Sequence, residues 1–231
     1  MVLFSLGGIY MVKYELFMPV HKGLRFALGN LLNHVNQLNF ENEQKLNEFT
    51  LEFNTLCAVL HSHAEHEDEH VHPIIEEYAP EVAIKMEAEH EATDVLLIEI
   101  EQLIKEINNS TVDMRRELGV KFVYGYNKFL AAYLNHLQTE EVDVMNVLWE
   151  KLSAEELMDV TVAIRSSIPP EILMDYFKYM IPGQNIYERV EMLGGMKKFA
   201  PPEAYQAACE LAATVLSNDD WLELKKELEA A

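Results

Sequence analysis

The chain has 231 residues, 49% of them hydrophobic and 25% charged, enough to bury a sizeable core in a soluble globular fold. Its formal net charge is −21, and no block of Lys or Arg interrupts the acidity. That balance excludes nucleic acid and anionic membrane surfaces as the main partners.

The first ten residues, MVLFSLGGIY, are apolar but lack a basic leading region and a small-residue cleavage site. They do not read as a signal peptide, and Met11 opens a more ordinary sequence. No run approaches the roughly 18 consecutive apolar residues of a membrane span. Cys57 and Cys209 sit within apolar helical patterns and read as two reduced core residues. A cytoplasmic protein is expected.

Little in the sequence suggests strands: apolar residues recur three and four apart almost throughout. A first helix is expected from Pro19 to Leu38, with Leu24, Leu28, Leu31, Leu32 and Val35 on one stripe and His21 on the same line. A second is expected from Glu43 to Tyr78, kinked or locally unwound at Pro73. A third opens at Pro80 and Glu81, a first-turn proline followed by an acid, and runs to about Ile107. Its stripe is Ala83, Met86, His90, Leu97 and Ile104. A fourth, capped by Ser110 or Thr111, continues to Leu152 with Tyr126, Phe129, Tyr133, His136, Glu140, Val144 and Val147 facing inward. Four long helices joined by short turns predict an all-α fold, an antiparallel up-down four-helix bundle over residues 1–152. Beyond it Ser153–Glu156 reads as a capping box. Pro169–Pro170, Pro182–Gly183, Pro201–Pro202 and Ser217 then divide residues 153–231 into four or five short helices. This extension contains no histidine and is expected to pack on the bundle or to bind a protein partner.

The second helix carries the densest chemistry. Five of the nine histidines fall between His61 and His72, interleaved with acids. On a helical projection Leu56, Val59, Leu60 and Ile74 share a stripe with His63 and Glu67, whereas His61, His72, Glu65 and Glu69 leave it. His70 also lies on the stripe, as a buried or supporting residue, and His66 flanks it. His34, His61 and His72 read as solvated. An ionised carboxylate in a core requires a cation or a metal. The fourth helix repeats the pattern at His136/Glu140, and the first and third each add one inward imidazole, His21 and His90. An i,i+4 pair stacks both side chains on one face, so packing the helices would gather six donors at one level. Four imidazoles and two carboxylates suit iron or another first-row transition ion and are too rich in nitrogen for magnesium or calcium. The competing expectation is a satisfied polar network with no metal.

The H-x-x-x-E run of His63 and Glu67, with acidic residues after it and Pro73 ten residues beyond the histidine, stands with His21 in HKGLR and His136 in NHLQTEE. Together these resemble the hemerythrin-like (HHE cation-binding) family over roughly Met18 to Leu152. The resemblance implies a non-haem di-iron centre, two iron ions bridged by an oxo or hydroxo group. His21 and His63 would serve one iron, His90 and His136 the other, and Glu67 and Glu140 would bridge. Glu141 is the rival of Glu140 but points away from the stripe. Oxygen-carrying members have a second histidine four residues after the one on the third helix. Asp94 stands there in this chain, either as an oxygen ligand or as a polar residue flanking an open position. The implied function is binding or sensing of O2 or another diatomic such as NO, or reporting of iron and redox state. A di-iron oxidase or peroxidase and an interaction protein with a structural metal are the alternatives. No separate catalytic residue and no other cofactor is expected.

Overall fold

The computed structural model describes residues 3–6 and 9–230, with side chains from Lys13 onward. The reading of the first ten residues thus falls partly outside the described residues, at positions 1, 2, 7 and 8. The chain divides into two compact units, Met1–Phe17 with Leu28–Ser167, and Met18–Ala27 with Ile168–Ala231. Both are built from helices. Among the described residues two short strands depart from helicity: β1 (Leu3–Leu6) and β2 (Ile9–Val12) pair antiparallel, Leu3 with Val12. Four-residue strands leave too few alternations for a period of two to stand out.

In the first unit, α2 (Glu43–His70) starts where the Asn42 side chain accepts a hydrogen bond from the Lys45 amide at 3.0 Å. It stops at His70, because Pro73 has no N–H to continue the ladder. After Val71 the chain resumes as α3 (His72–Tyr78), so the expected interruption is a one-residue break. Pro80 opens α4 (Pro80–Asn109), which runs two residues past the expected end. The next helix, α5 (Val112–Thr139), begins after Thr111 without a side-chain cap. Ser110 instead donates its hydroxyl back to the Ile107 carbonyl at 2.9 Å, so neither expected cap acts as one. The fourth long helix is not regular to Leu152. A π-helical stretch at Glu140–Val144 separates α5 from α6 (Met145–Lys151).

Cross-helix contacts fix antiparallel neighbours. On α2 and α4, Thr50 meets Asn108, His61 meets Glu101 and Asp68 meets His90. The long helix α1 (Met18–Gln37) meets α2 through His34 and Glu52 and meets α5 through Tyr126, whose hydroxyl donates to the Leu28 carbonyl at 2.8 Å. The core of this unit has two ends. One is aromatic, where Phe49, Phe53, Phe122, Tyr126 and Phe129 bury their rings against one another. The other is mainly aliphatic, built from Val71, Ile75, Met86, Val144 and Leu148. The short helix α7 (Ala154–Ser167) joins that end through Leu157, after the Ser153–Glu156 capping box that the sequence predicts.

The second unit holds α8 (Pro170–Gly183), α9 (Ile186–Phe199), α10 (Pro202–Val215) and α11 (Asn218–Ala230). Its core is Phe177, Ile181, Leu193, Ala208, Ala212, Leu224 and Leu228. The buried Arg189 guanidinium donates to the Ile181 and Pro182 carbonyls, satisfying the end of α8. There α8 meets the first turns of α1 at backbone distance: a Cβ on Gly183 would sit 2.7 Å from the Lys22 carbonyl oxygen. Gly183→Ala should therefore destabilise the protein by about 1–3 kcal/mol. Gly29→Ala meets nothing within 4 Å and should stabilise α1 by about 0.5–1 kcal/mol. Urea unfolding of both variants checks the pair, and equal midpoints would contradict the close approach.

Cys57 is buried and Cys209 half-buried, both as free thiols, and burial pushes the Cys57 thiol pKa up. Among the described residues no helix is long and apolar enough to cross a membrane.

Candidate metal centre

Three helices of the first unit and the π-helical stretch after α5 deliver five of the six expected donors to the level between the aromatic and aliphatic ends of its core. From α2 come His63 and Glu67, with Nε2 of His63 3.2 Å from Glu67 Oε1. From α4 comes His90, and α5 carries His136 in its last turn, one turn before Glu140 at the start of the π-helical stretch. Nε2 of His136 lies 3.0 Å from Glu140 Oε1, and Nε2 of His90 lies 3.6 Å from the same oxygen and 3.8 Å from Glu67 Oε2. Donor atoms of Glu67, His90, His136 and Glu140 all fall within 4.8 Å of one another. The His90 and His136 rings meet edge to face at 4.6 Å. His21 is fully buried on α1, in the part of that helix belonging to the second unit.

Burial decides the electrostatics. Glu140 is 0% exposed and Glu67 3%, too little for water to solvate two carboxylates. Burial by itself depresses the pKa of His90, but the close approach of the Glu140 carboxylate and the charges of Glu67, Glu140 and Asp68 outweigh it, raising the group to about 9. His136 is raised against the same opposition from burial, chiefly by Glu140. Excess negative charge is thus stored where the donors converge, and protons or a cation must neutralise it. Imidazole nitrogens and carboxylate oxygens spaced this closely fit a first-row transition ion.

The π-helical stretch begins at Glu140, leaving the α-helical i,i+4 step from His136 intact. Glu141 is partly exposed, whereas Glu140 is sealed. Regular periodicity carries no sign of this stretch, although such turns recur at functional sites. Asp94 is exposed, on the lining of the cleft beside His90, and is absent from the convergent donor group. That cleft runs between Leu60, Leu97, Phe129 and Tyr133 and has room for about one water-sized molecule. Tyr126 and Tyr133 are buried core residues.

The remaining histidines have other partners. His66 is buried rather than flanking, bonded to the Ser62 carbonyl. His70 is only half-buried and reaches Ser167 at 3.2 Å. His34, His61 and His72 are half-buried rather than fully solvated, against Glu52 at 2.7 Å, Glu101 at 2.9 Å and the Ala83 carbonyl at 3.3 Å. Sequence reasoning missed three residues behind the donors. Asp68 lies 3.1 Å from Nδ1 of His90, and Glu89 lies 3.4 Å from Nδ1 of His136. Thr139 donates its hydroxyl to Glu89 at 3.1 Å. The available signal was adjacency, since Asp68 follows Glu67 and Glu89 precedes His90.

Comparison with known proteins agrees with this arrangement. The family model described as Hemerythrin HHE cation binding domain matches residues 12–148, more than half of the chain. No curated protein and no solved structure matches.

Proposed function

The chain belongs to the hemerythrin HHE cation-binding family, and on that premise we propose that it is a cytoplasmic non-haem di-iron protein that binds or senses O2 or NO, or reports iron and redox state. The observation that carries the reading is the buried convergence of Glu67, His90, His136 and Glu140, with His63 on Glu67. In this proposal His21 and His63 would hold one iron and His90 and His136 the other, with Glu67 and Glu140 as the carboxylate donors common to both. Residues 1–152 form the metal-binding bundle, and residues 153–231 form an extension that packs on it or receives a partner.

Bound iron would supply a coordination site for the diatomic and a change of oxidation state. The chain's own residues do the rest. Leu60, Leu97, Phe129 and Tyr133 keep bulk water from the donors, and the narrow cleft admits a small ligand in preference to an organic substrate. Glu67 and Glu140, both buried, would supply the negative charge that neutralises a bound cation.

The test is an optical titration of anaerobically iron-loaded protein with O2 and with NO. A stoichiometric spectral change without sustained gas consumption in the presence of an electron donor supports the proposal. Sustained turnover would assign the site to an oxidase instead. Asp94 governs a second expectation. One turn from His90, on the lining of the cleft, Asp94→His restores the pair of imidazoles found in the oxygen carriers. It should slow air oxidation of the ferrous protein at unchanged iron content. Equal oxidation rates with both irons retained would show that Asp94 does not set this behaviour.

A further inference from the structure

Each imidazole has two ring nitrogens, and in His90 and His136 they face different surroundings. Nε2 of His90 is turned to Glu140 and Glu67, and Nε2 of His136 to Glu140. On the outer side, Asp68 Oδ1 lies 3.1 Å from Nδ1 of His90, and Glu89 Oε2 lies 3.4 Å from Nδ1 of His136. The other Glu89 oxygen accepts the Thr139 hydroxyl, and Thr139 is itself buried, one turn after Asn135 and three residues after His136. We infer that Asp68 and Glu89 are positioning residues, each accepting Nδ1–H of one histidine so that its Nε2 is presented to the metal.

The chemistry leaves one arrangement. An ionised carboxylate can only accept, so the ring nitrogen facing it carries the hydrogen. A cation that displaces the inner proton leaves the ring neutral, with its one hydrogen on Nδ1 and its lone pair on Nε2, facing inward. The carboxylate also makes the ring a stronger donor to a cation and fixes its rotation. The two contacts form a stitched series across three helices. Asp68, next to the donor Glu67 on α2, holds the donor of α4. Glu89, next to that donor, holds the donor of α5. Their environments rank them. The Asp68 side chain is 61% exposed and water competes for its hydrogen bond, whereas Glu89 is 21% exposed and anchored by Thr139. Glu89 is therefore the stronger of the two.

This inference rests on the metal-centre reading above, so its test separates the two. The full chain is loaded with Zn(II) alone, a diamagnetic probe, and the ring nitrogens of His90 and His136 are observed by 15N NMR. Zinc affinity is measured by chelator competition for the parent, Asp68→Ala, Glu89→Ala, Asp68→Asn and Glu89→Gln, with Glu65→Ala, an exposed acid on α2, as control. The expected result is Nδ1–H with a zinc-bound Nε2 for both histidines in the parent. Glu89→Ala should lose about 10–100-fold in affinity and Asp68→Ala less. Asn and Gln keep a carbonyl acceptor and should recover part of the loss, with melting of the metal-free proteins unchanged. Zinc bound through Nδ1 in the parent overturns the inference without recourse to any variant. So do alanine variants that bind zinc within about twofold of the parent. A parent that takes up neither zinc nor iron overturns the metal-centre reading itself, and this inference with it.

Discussion

Glu67→Ala and Glu140→Ala should each lower bound iron from about two ions per chain to one or none. Both carboxylates belong to the convergent donor group and both are almost fully enclosed, so water cannot replace the lost oxygen without entering the core. Each truncation removes a donor and a negative charge together, leaving the proposed metal pair under-ligated and its mutual repulsion less compensated. Glu67→Gln separates the two effects: it keeps the volume and one acceptor oxygen but removes the charge, and it should also lose iron. His61→Ala and His72→Ala are the controls. Their rings contact Glu101 and the Ala83 carbonyl rather than the donors, and their iron content should equal the parent's. Elemental analysis after anaerobic loading reads the result. Two irons retained in both glutamate variants would remove these residues from the site.

Phe122→Ala should destabilise the first unit by about 3–5 kcal/mol, against a total of about 5–15 kcal/mol for a typical domain. The ring is 0% exposed and meets Phe49 at 5.5 Å, Phe53 at 5.3 Å and Tyr126 at 6.4 Å. Those neighbours are rigid rings from two helices, which cannot collapse to fill the space as aliphatic chains do. The melting temperature should fall by roughly 6–20 °C. At low temperature the variant should still take up iron, because Phe122 lies nearly four turns before His136 on α5 and touches none of the donors. Calorimetry of the metal-free protein measures the first effect and metal analysis the second. A melting temperature within a few degrees of the parent's would contradict the aromatic end of the core.

The bundle was legible because its signals are local. The i,i+3 and i,i+4 apolar spacing, the position of Pro73 and the Pro80 start each act within one or two turns, and the helices follow them. His63/Glu67 and His136/Glu140 were legible for the same reason, since a shared face is a property of a single helix. What escaped depends on tertiary context or on departures from regular geometry. The π-helical stretch at Glu140–Val144 alters the phase of the residues after it, and no periodic pattern announces it. Asp68 and Glu89 bond across helices to His90 and His136, a pairing fixed by the register between helices rather than by spacing along either one. Ser110 and Thr111 are both competent cap residues, yet the Ser110 hydroxyl turns back to the preceding helix. The β1–β2 strand pair is too short to show an alternation.

The central claim is a buried two-iron centre, and iron stoichiometry with the accompanying optical spectrum tests it most directly. The intact chain is loaded anaerobically with Fe(II), freed of excess metal, analysed for iron and scanned before and after admission of O2. The account predicts about two irons per chain and, on oxidation, new near-ultraviolet and visible absorption of the kind a bridged iron pair gives. A chain that retains no iron, or one that retains iron equally well after both Glu67 and Glu140 are replaced by alanine, would contradict it.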